Sequence, residues 1–190
     1  MKHMSLYERA SLFTRAFPKL APLQYHDEQI TGMWFLGGAR HSNYYGSYHQ
    51  NYLDRISSIF PDANKIVHLF PGSLPPGNYT RVGFDGTGEF QPDIKGDAEK
   101  LSSFLPFKPD LIYADPPYSV EDAEHYKTGL INRPRVVDEC GQVLQPNGYL
   151  VWLDQVLPVF SNKTLNLVGL IGSVRSTGNR FRAISIFRKA

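Results

Sequence analysis

The sequence predicts an α/β domain built on a mostly parallel sheet. Strand candidates of short length recur at 65–70, 80–85, 93–96, 110–114 and 149–153, the third of them weak. Helical patterns precede and separate several of them, the alternation from which parallel sheets with helices on both faces are made. Two more apolar runs, 165–171 and 181–187, flank a turn containing Gly and Ser. They read as a closing pair that supplies an antiparallel C-terminal strand.

The first helix spans 5–17: Ser5 and Glu8 form a capping box, and Leu6, Ala10, Phe13 and Phe17 share one face. Residues 18–47 are rich in Pro, Gly, His, Tyr and Asn and read as loop, with a short strand at Trp34-Phe35-Leu36. A second helix covers 48–60, its stripe formed by Tyr52, Leu53, Ile56, Ile59 and Phe60, and Pro61 helps to end it. The run 65–70 is the first core strand and 80–85 the second. Only nine residues separate Phe70 from Thr80, among them Pro71, Gly72, Pro75, Pro76 and Gly77. A parallel crossover ordinarily takes about a dozen residues and a helix, so the first crossover helix is expected to be reduced to a turn. The third strand, 93–96, is weak, and the fourth, 110–114, is wholly apolar after Asp110. Helices follow at 120–130 and 134–144, the latter opened by Pro134 at its first position. Pro146-Asn147-Gly148 then turns the chain into the strand 149–153.

A chain of 190 residues is long enough for one full core. We expect a single three-layer domain over 1–190, with 1–62 packed on it as a helical and loop segment. The hydrophobic share of 42% and aromatic share of 13% argue against a disordered chain. No run of about 18 apolar residues is present, so no membrane helix is expected. Glu8, Arg9 and Arg15 give the N-terminal region a mixed pattern unlike a secretory signal. Cys140 is the only cysteine and no metal-ligand spacing occurs. A cytoplasmic, metal-free protein is the expectation. The net charge of +2 neither requires nor excludes nucleic acid. Arg133, Arg135, Arg175, Arg180, Arg182, Arg188 and Lys189 gather late in the chain, either as a solvated surface or as phosphate contacts.

The segment Asp115-Pro116-Pro117-Tyr118 carries the most chemistry. It follows the strand 110–114 directly, and the carboxyl edge of an open α/β sheet is where ligands bind. Asp115 can accept a hydrogen bond from an amine, the Pro116 carbonyl can accept another, and Tyr118 offers a ring face. Together they suit a flat ring bearing an amino group. A plain turn uses similar residues, but four specified residues at this position favour function.

With these residues in view, the chain resembles the class I S-adenosylmethionine-dependent methyltransferases, particularly the amino-methyltransferases typified by DNA adenine-N6 enzymes. Their Asp/Asn/Ser-Pro-Pro-aromatic motif matches Asp115 to Tyr118. The resemblance implies a Rossmann-like sheet, S-adenosylmethionine as cofactor, and methyl transfer to an exocyclic amino group, N6 of adenine in DNA. RNA, a small heterocycle or a non-catalytic binding module are the alternatives. It further implies that Asp115, Pro116, Pro117 and Tyr118 are catalytic. The loop Phe70-Pro71-Gly72-Ser73 is similar to the family's first-strand cofactor loop. Asp85 stands where an acid binds the ribose hydroxyls, and Asp97 with Ala98 where an acid meets the cofactor adenine. Tyr45, within 43–48, matches a supplementary cofactor segment. The segment 143–152 is similar to the family's approach to the fifth strand.

Departures are equally specific. His68 and Leu74 replace the usual acid and second Gly, and Pro75-Pro76 redirects the loop. His68 is either a core residue or a ligand, Asp85 either a ribose ligand or a turn residue beside Gly86, and Tyr45 either a pocket residue or part of a packing loop. No separate target-recognition domain is visible, which points to short or unspecific recognition, a partner subunit or a substrate other than duplex DNA. The expected partners are nucleic acid, DNA before RNA, and a further subunit or a homo-oligomer.

Overall fold

A computed structural model describes residues 4–36, 48–49, 51–83, 91–118, 124, 129–175 and 181–190. The strands are β1 (Gln24–His26), β2 (Gln29–Leu36), β3 (Ile66–Leu69), β4 (Thr80–Gly83), β5 (Ile94–Lys95), β6 (Leu111–Ala114), β7 (Tyr149–Asp154), β8 (Leu165–Arg175) and β9 (Phe181–Lys189). Helices among the described residues include α1 (Leu6–Ala16), α2 (Tyr52–Ser57) and α3 (Arg133–Val143), with a 3-10 helix at Ala98–Ser103. All nine strands form one sheet in the order β1-β2-β8-β9-β7-β6-β3-β4-β5. Neighbours from β5 to β7 pair in parallel, and β2 pairs in parallel with β8. Strand β9 is antiparallel to both β7 and β8, and β1 is antiparallel to β2.

From β5 through β7 the strand order is that of a doubly wound sheet, reversing between β3 and β6. The register there aligns Leu69 with Ala114, so Phe70 and Asp115 leave the sheet side by side. The other end of this pair is pinned by Asp110, whose carboxylate accepts from the backbone N–H groups of Asn64 and Lys65 at 3.0 Å each. Alternation along the strands divides the core. Leu111 and Tyr113 face α1 and α2, whereas Ile112 and Ala114 join Val136, Val137 and Cys140 of α3.

Local signals explain the helix ends. Ser5 and Glu8 close a reciprocal capping box at the start of α1. Asn132 caps α3 by accepting from the Arg135 N–H, and Pro134 occupies its first turn. Residues 71–79 join β3 to β4 through turns without a helix. The expected helix at 120–130 lies almost entirely outside the described residues.

The N-terminal region differs from expectation. Residues 24–36, expected as loop with a strand at Trp34-Phe35-Leu36, form the hairpin β1–β2, and β2 pairs along β8 from Ile30 to Leu36. Ile30, Trp34 and Leu36 alternate inward, which is the driving pattern. The hairpin turn was hidden because Asp27 and Glu28 hold φ of 47° and 58°, left-handed positions that Asn-Gly usually announces. The helix expected over 48–60 is confined to Tyr52–Ser57. Its N-cap, Asn51, is left-handed at φ 67° and makes no side-chain cap bond.

Arg9 ties α1 to this body. It is 2% exposed; Nη1 donates to the Ile59 carbonyl at 2.9 Å, and Nη1 and Nη2 grip the Asp62 carboxylate at 2.8 and 3.0 Å. Its guanidinium lies 5.1 Å from the Phe60 ring centroid and 4.8 Å from that of Tyr149. Removing one partner of a buried pair costs about 3–5 kcal/mol, and partial exposure of Asp62 brings this to about 2–3 kcal/mol. Arg9→Ala is therefore expected to lower the urea midpoint by that stability at unchanged m. An unchanged midpoint would show that α1 is held by its apolar face alone.

Candidate functional site

The site grows from the strand ends on either side of the β3–β6 reversal. Beyond β3, Phe70 turns into the left-handed region at φ 57° and Gly72 does so at φ 51°. Gly72 adopts this without strain; Phe70 does not, and such outliers gather at ligand sites. The Phe70 N–H donates to the Val82 carbonyl at 3.2 Å, and the Leu74 N–H to the Pro71 carbonyl at 3.0 Å. Arg81 holds the loop's far side, donating to the Leu74 carbonyl at 3.1 Å while pairing with Asp93 at 2.8 Å. Tyr79 donates to the Pro75 carbonyl at 2.5 Å. The loop that departs most from the expected pattern is thus internally bonded.

Beyond β6, Asp115, Pro117 and Tyr118 are half-buried and Pro116 is buried. The Tyr118 hydroxyl donates to Asp115 Oδ1, which orients the carboxylate. Beyond β5, Asp97 is exposed and caps the 3-10 helix, its Oδ1 accepting from the Glu99 N–H at 2.9 Å. Ala98 is buried behind it. The expected residues Phe70, Pro71, Gly72, Ser73, Asp97, Ala98 and Asp115 to Tyr118 therefore share the carboxyl edge. Asp85 and Tyr45 lie outside the described residues.

Further residues join the site: Arg133 and Arg182, expected as solvated surface or as phosphate contacts, and Asp154, which was not foreseen. Arg133, the first residue of α3, donates from Nε to Asp154 Oδ2 at 2.7 Å. Its Nη2 donates to the carbonyls of Pro117 and Tyr118 at 3.3 and 3.1 Å. Asp154 ends β7, is 0% exposed, and also accepts from Trp152 Nε1 at 3.2 Å and the Gln155 N–H at 2.6 Å. One buried acid and one arginine thus hang the Asp115–Tyr118 segment from both α3 and β7. The signal for Asp154 was available: it is an acid directly after an apolar strand, as Asp115 is. Arg182, near the start of β9, places its guanidinium 4.2 Å from the Tyr118 ring centroid. Its position depends on antiparallel register, which no local pattern specifies.

Aromatic rings fill the α1/α2 side beneath Asp115. His68 and Tyr113 are register partners with ring centroids 4.9 Å apart, and Tyr79 lies 4.7 Å from His68. Tyr48 sits 3.2 Å from His68 Nδ1 through its hydroxyl and stacks on Tyr52 at 5.5 Å. His68 is 3% exposed, and burial lowers its pKa to about 4, which keeps the imidazole neutral. The core reading of His68 is the one realised. Burial, followed by the Asp115 charge, raises the Tyr48 hydroxyl well above its ordinary value. Tyr52 is raised by burial, Tyr48 and Asp115, with Arg182 opposing. Tyr118 links these two charges, bonding Asp115 through its hydroxyl and lying under the Arg182 guanidinium with its ring.

No protein-family model matches the chain, and no curated protein is similar to it in sequence. Among solved structures, it is similar to TrmN from Thermus thermophilus, with TM-score 0.48 and 15% identity over 66% of this chain and 44% of that one. The chain thus spans less than half of TrmN. A putative methylase, HI0767 from Haemophilus influenzae, gives TM-score 0.40 and 11% identity, covering 95% of this chain and 87% of the other. The N-methyltransferase NodS from Bradyrhizobium japonicum WM9, in complex with S-adenosyl-L-homocysteine, gives 0.39 and 11%, covering 97% and 88%. Similarity this low leaves the reading of the site to its own strand order and residues.

The brace has a direct test. Asp154→Ala leaves Arg133 without its carboxylate and, since Arg133 is itself partly exposed, is expected to cost about 2–3 kcal/mol in urea denaturation. Adding Arg133→Met to that variant is expected to cost much less than Arg133→Met costs alone, a non-additivity of at least about 1 kcal/mol. Additive losses would mean that the two side chains act separately.

Proposed function

We propose that this protein transfers a methyl group from S-adenosylmethionine to an exocyclic amino group, with N6 of adenine in DNA as the acceptor. The observation that carries this reading is the position of Asp115-Pro116-Pro117-Tyr118 at the end of β6, beside the β3–β6 reversal.

The residues at the other strand ends fit the cofactor. The Asp97 carboxylate has further lone pairs beyond the one used by Glu99, and it suits the amino group of an adenine ring. The loop Phe70 to Ser73, with two left-handed residues, brings backbone close to a ligand at the reversal point. The missing helix between β3 and β4 is compatible with this cofactor. Helix N-termini at that place cradle phosphates, and S-adenosylmethionine carries none. Asp85 remains the proposed ribose contact and Tyr45 the proposed supplementary contact.

When bound, S-adenosylmethionine supplies a methyl group on a sulfonium, displaced by a nitrogen lone pair to leave a neutral thioether. The chain's task is to make that lone pair available. An amino group on an aromatic ring is a weak nucleophile because its lone pair is delocalised. Asp115 and the Pro116 carbonyl, accepting its two N–H bonds, draw the nitrogen towards tetrahedral geometry and stabilise the positive charge that develops there. Tyr118 fixes Asp115 through its hydroxyl and offers its ring for stacking, worth about 1–3 kcal/mol per base. Arg133 and Asp154 keep the segment's backbone in place, so the amine meets preset acceptors. The surplus proton passes to solvent after transfer. An adenine in duplex DNA would have to leave the stack, at a cost of a few kcal/mol.

Calorimetric titration with S-adenosylmethionine, followed by labelled methyl transfer to DNA, RNA and nucleosides, tests the reading. Absence of binding at millimolar cofactor would overturn it. Asp115→Ala is expected to lower transfer by at least about a hundredfold while leaving cofactor affinity within about twofold. Loss of cofactor binding would instead put Asp115 in the cofactor site. Asp97→Ala is expected to weaken cofactor binding by about ten- to a hundredfold, the value of a hydrogen bond to a charged group. Unchanged affinity would remove Asp97 from the cofactor's contacts.

A further inference from the structure

We infer that Arg182 binds a phosphate of the acceptor, so that the amino-bearing ring is taken as part of a nucleotide rather than as a free heterocycle. The inference rests on the methyl-transfer reading above and names the residue that gives it substrate class.

Arg182 differs from the carboxylate-paired arginines around the sheet. Arg55 shares its lack of a carboxylate among the described residues and its unpartnered buried Nε, but Arg55 Nη1 donates to the Phe35 carbonyl at 3.0 Å. Arg9 has Asp62, Arg81 has Asp93 and Arg133 has Asp154. Among the described residues, no carboxylate pairs with Arg182, and its Nε is buried without a hydrogen-bond partner. Its guanidinium carbon lies 4.2 Å from the Tyr118 ring centroid. A half-buried guanidinium with unused donors is costly until an anion takes them. Its planar fork matches two phosphate oxygens, and stacking on an aromatic face fixes the plane in which that fork lies.

The anion must come from somewhere other than the methylated ring. An amine held by Asp115 carries no negative charge, and a second anion beside that carboxylate is tolerable only where a cation faces it. Tyr118 touches both groups, Asp115 through its hydroxyl and Arg182 through its ring, so the two opposite charges flank one side chain. A nucleotide presents this pairing in reverse: an amino group for Asp115 and a phosphate for Arg182. The carboxylate of S-adenosylmethionine is the other anion at hand. Arg182 lies on β9, separated from the β3 loop by β7 and β6, and it covers the acceptor's Tyr118. That location assigns it to the acceptor.

The test compares two short single-stranded DNA oligonucleotides containing one adenine, one natural and one with neutral methylphosphonates flanking that adenine. With the wild-type protein, the neutral linkages are expected to raise KM by about ten- to a hundredfold. In Arg182→Gln, KM for the natural oligonucleotide rises by the same factor and the distinction between the two disappears. The salt slope of its binding falls by about one, and the calorimetric affinity for S-adenosylmethionine is unchanged. Arg182→Lys, which keeps the charge and loses the fork, gives an intermediate distinction, and it carries the test if circular dichroism shows Arg182→Gln unfolded. Wild-type methylation of both oligonucleotides with equal KM, a distinction retained by Arg182→Gln, or weakened cofactor affinity in that variant would each overturn the inference. A wild-type protein that binds cofactor and methylates neither oligonucleotide would overturn the DNA acceptor and this inference together.

Discussion

The parallel pairing of β3 with β6 is the constraint from which the site follows. Ile66 faces Leu111 and Leu69 faces Ala114, so the chain leaves the sheet at two adjacent points with nothing between them. Whatever follows Leu69 and Ala114 must converge on one crevice, because the strand order reverses there. A slip of β6 by one residue along β3 would turn Tyr113 to the α3 side and aim Asp115 away from the rings. The Asp110 carboxylate opposes such a shift by taking the Asn64 and Lys65 N–H groups at the other end of the pair. An acid remote from the site thus fixes where Asp115 stands.

Around that crevice the two walls differ in how they are held. The β6 wall is braced by charge: Arg133 reaches from α3 to two carbonyls and to an acid at the end of β7. The β3 wall is held by a tight loop, with Arg81 and Tyr79 bonding the carbonyls of Leu74 and Pro75. Beneath both lies a layer of rings, with a neutral His68 at its centre. A charged imidazole there would sit close to the same aromatic core that faces Asp115. Burial excludes it down to acid pH, so the ring layer beneath Asp115 carries no imidazolium charge.

Legibility in the sequence followed locality. Strand β6 and Asp115 to Tyr118 were readable because a continuous apolar run ends in residues with distinct chemistry. Strand β7 was readable for the same reason, and Asp154 could have been read by the rule applied to Asp115. The hairpin β1–β2 was missed because all three residues of β1 are exposed and its turn uses Asp27 and Glu28 where Gly is usual. The place of Arg182 over Tyr118 and the partnership of Arg133 with Asp154 were not readable, since each depends on which strands become neighbours. The ring cluster was hidden likewise: Tyr48, His68, Tyr79 and Tyr113 are scattered in sequence and meet through pairing of β3 with β6.

The absence of a helix between β3 and β4 bears on how the chain assembles. Val67 pairs with Thr80, 13 residues on, and Val82 with Ile94, 12 residues on. By contrast, Ile66 pairs with Leu111 and Leu111 with Tyr149, separations of 45 and 38 residues. Loop-closure entropy grows with such separations, and folding slows as they come to dominate. The three strands β3, β4 and β5 thus form a compact parallel unit that closes within thirty residues. The half of the crevice nearest β5 belongs to the local, early-closing part of the chain, while the half carrying Asp115 awaits its most distant contacts.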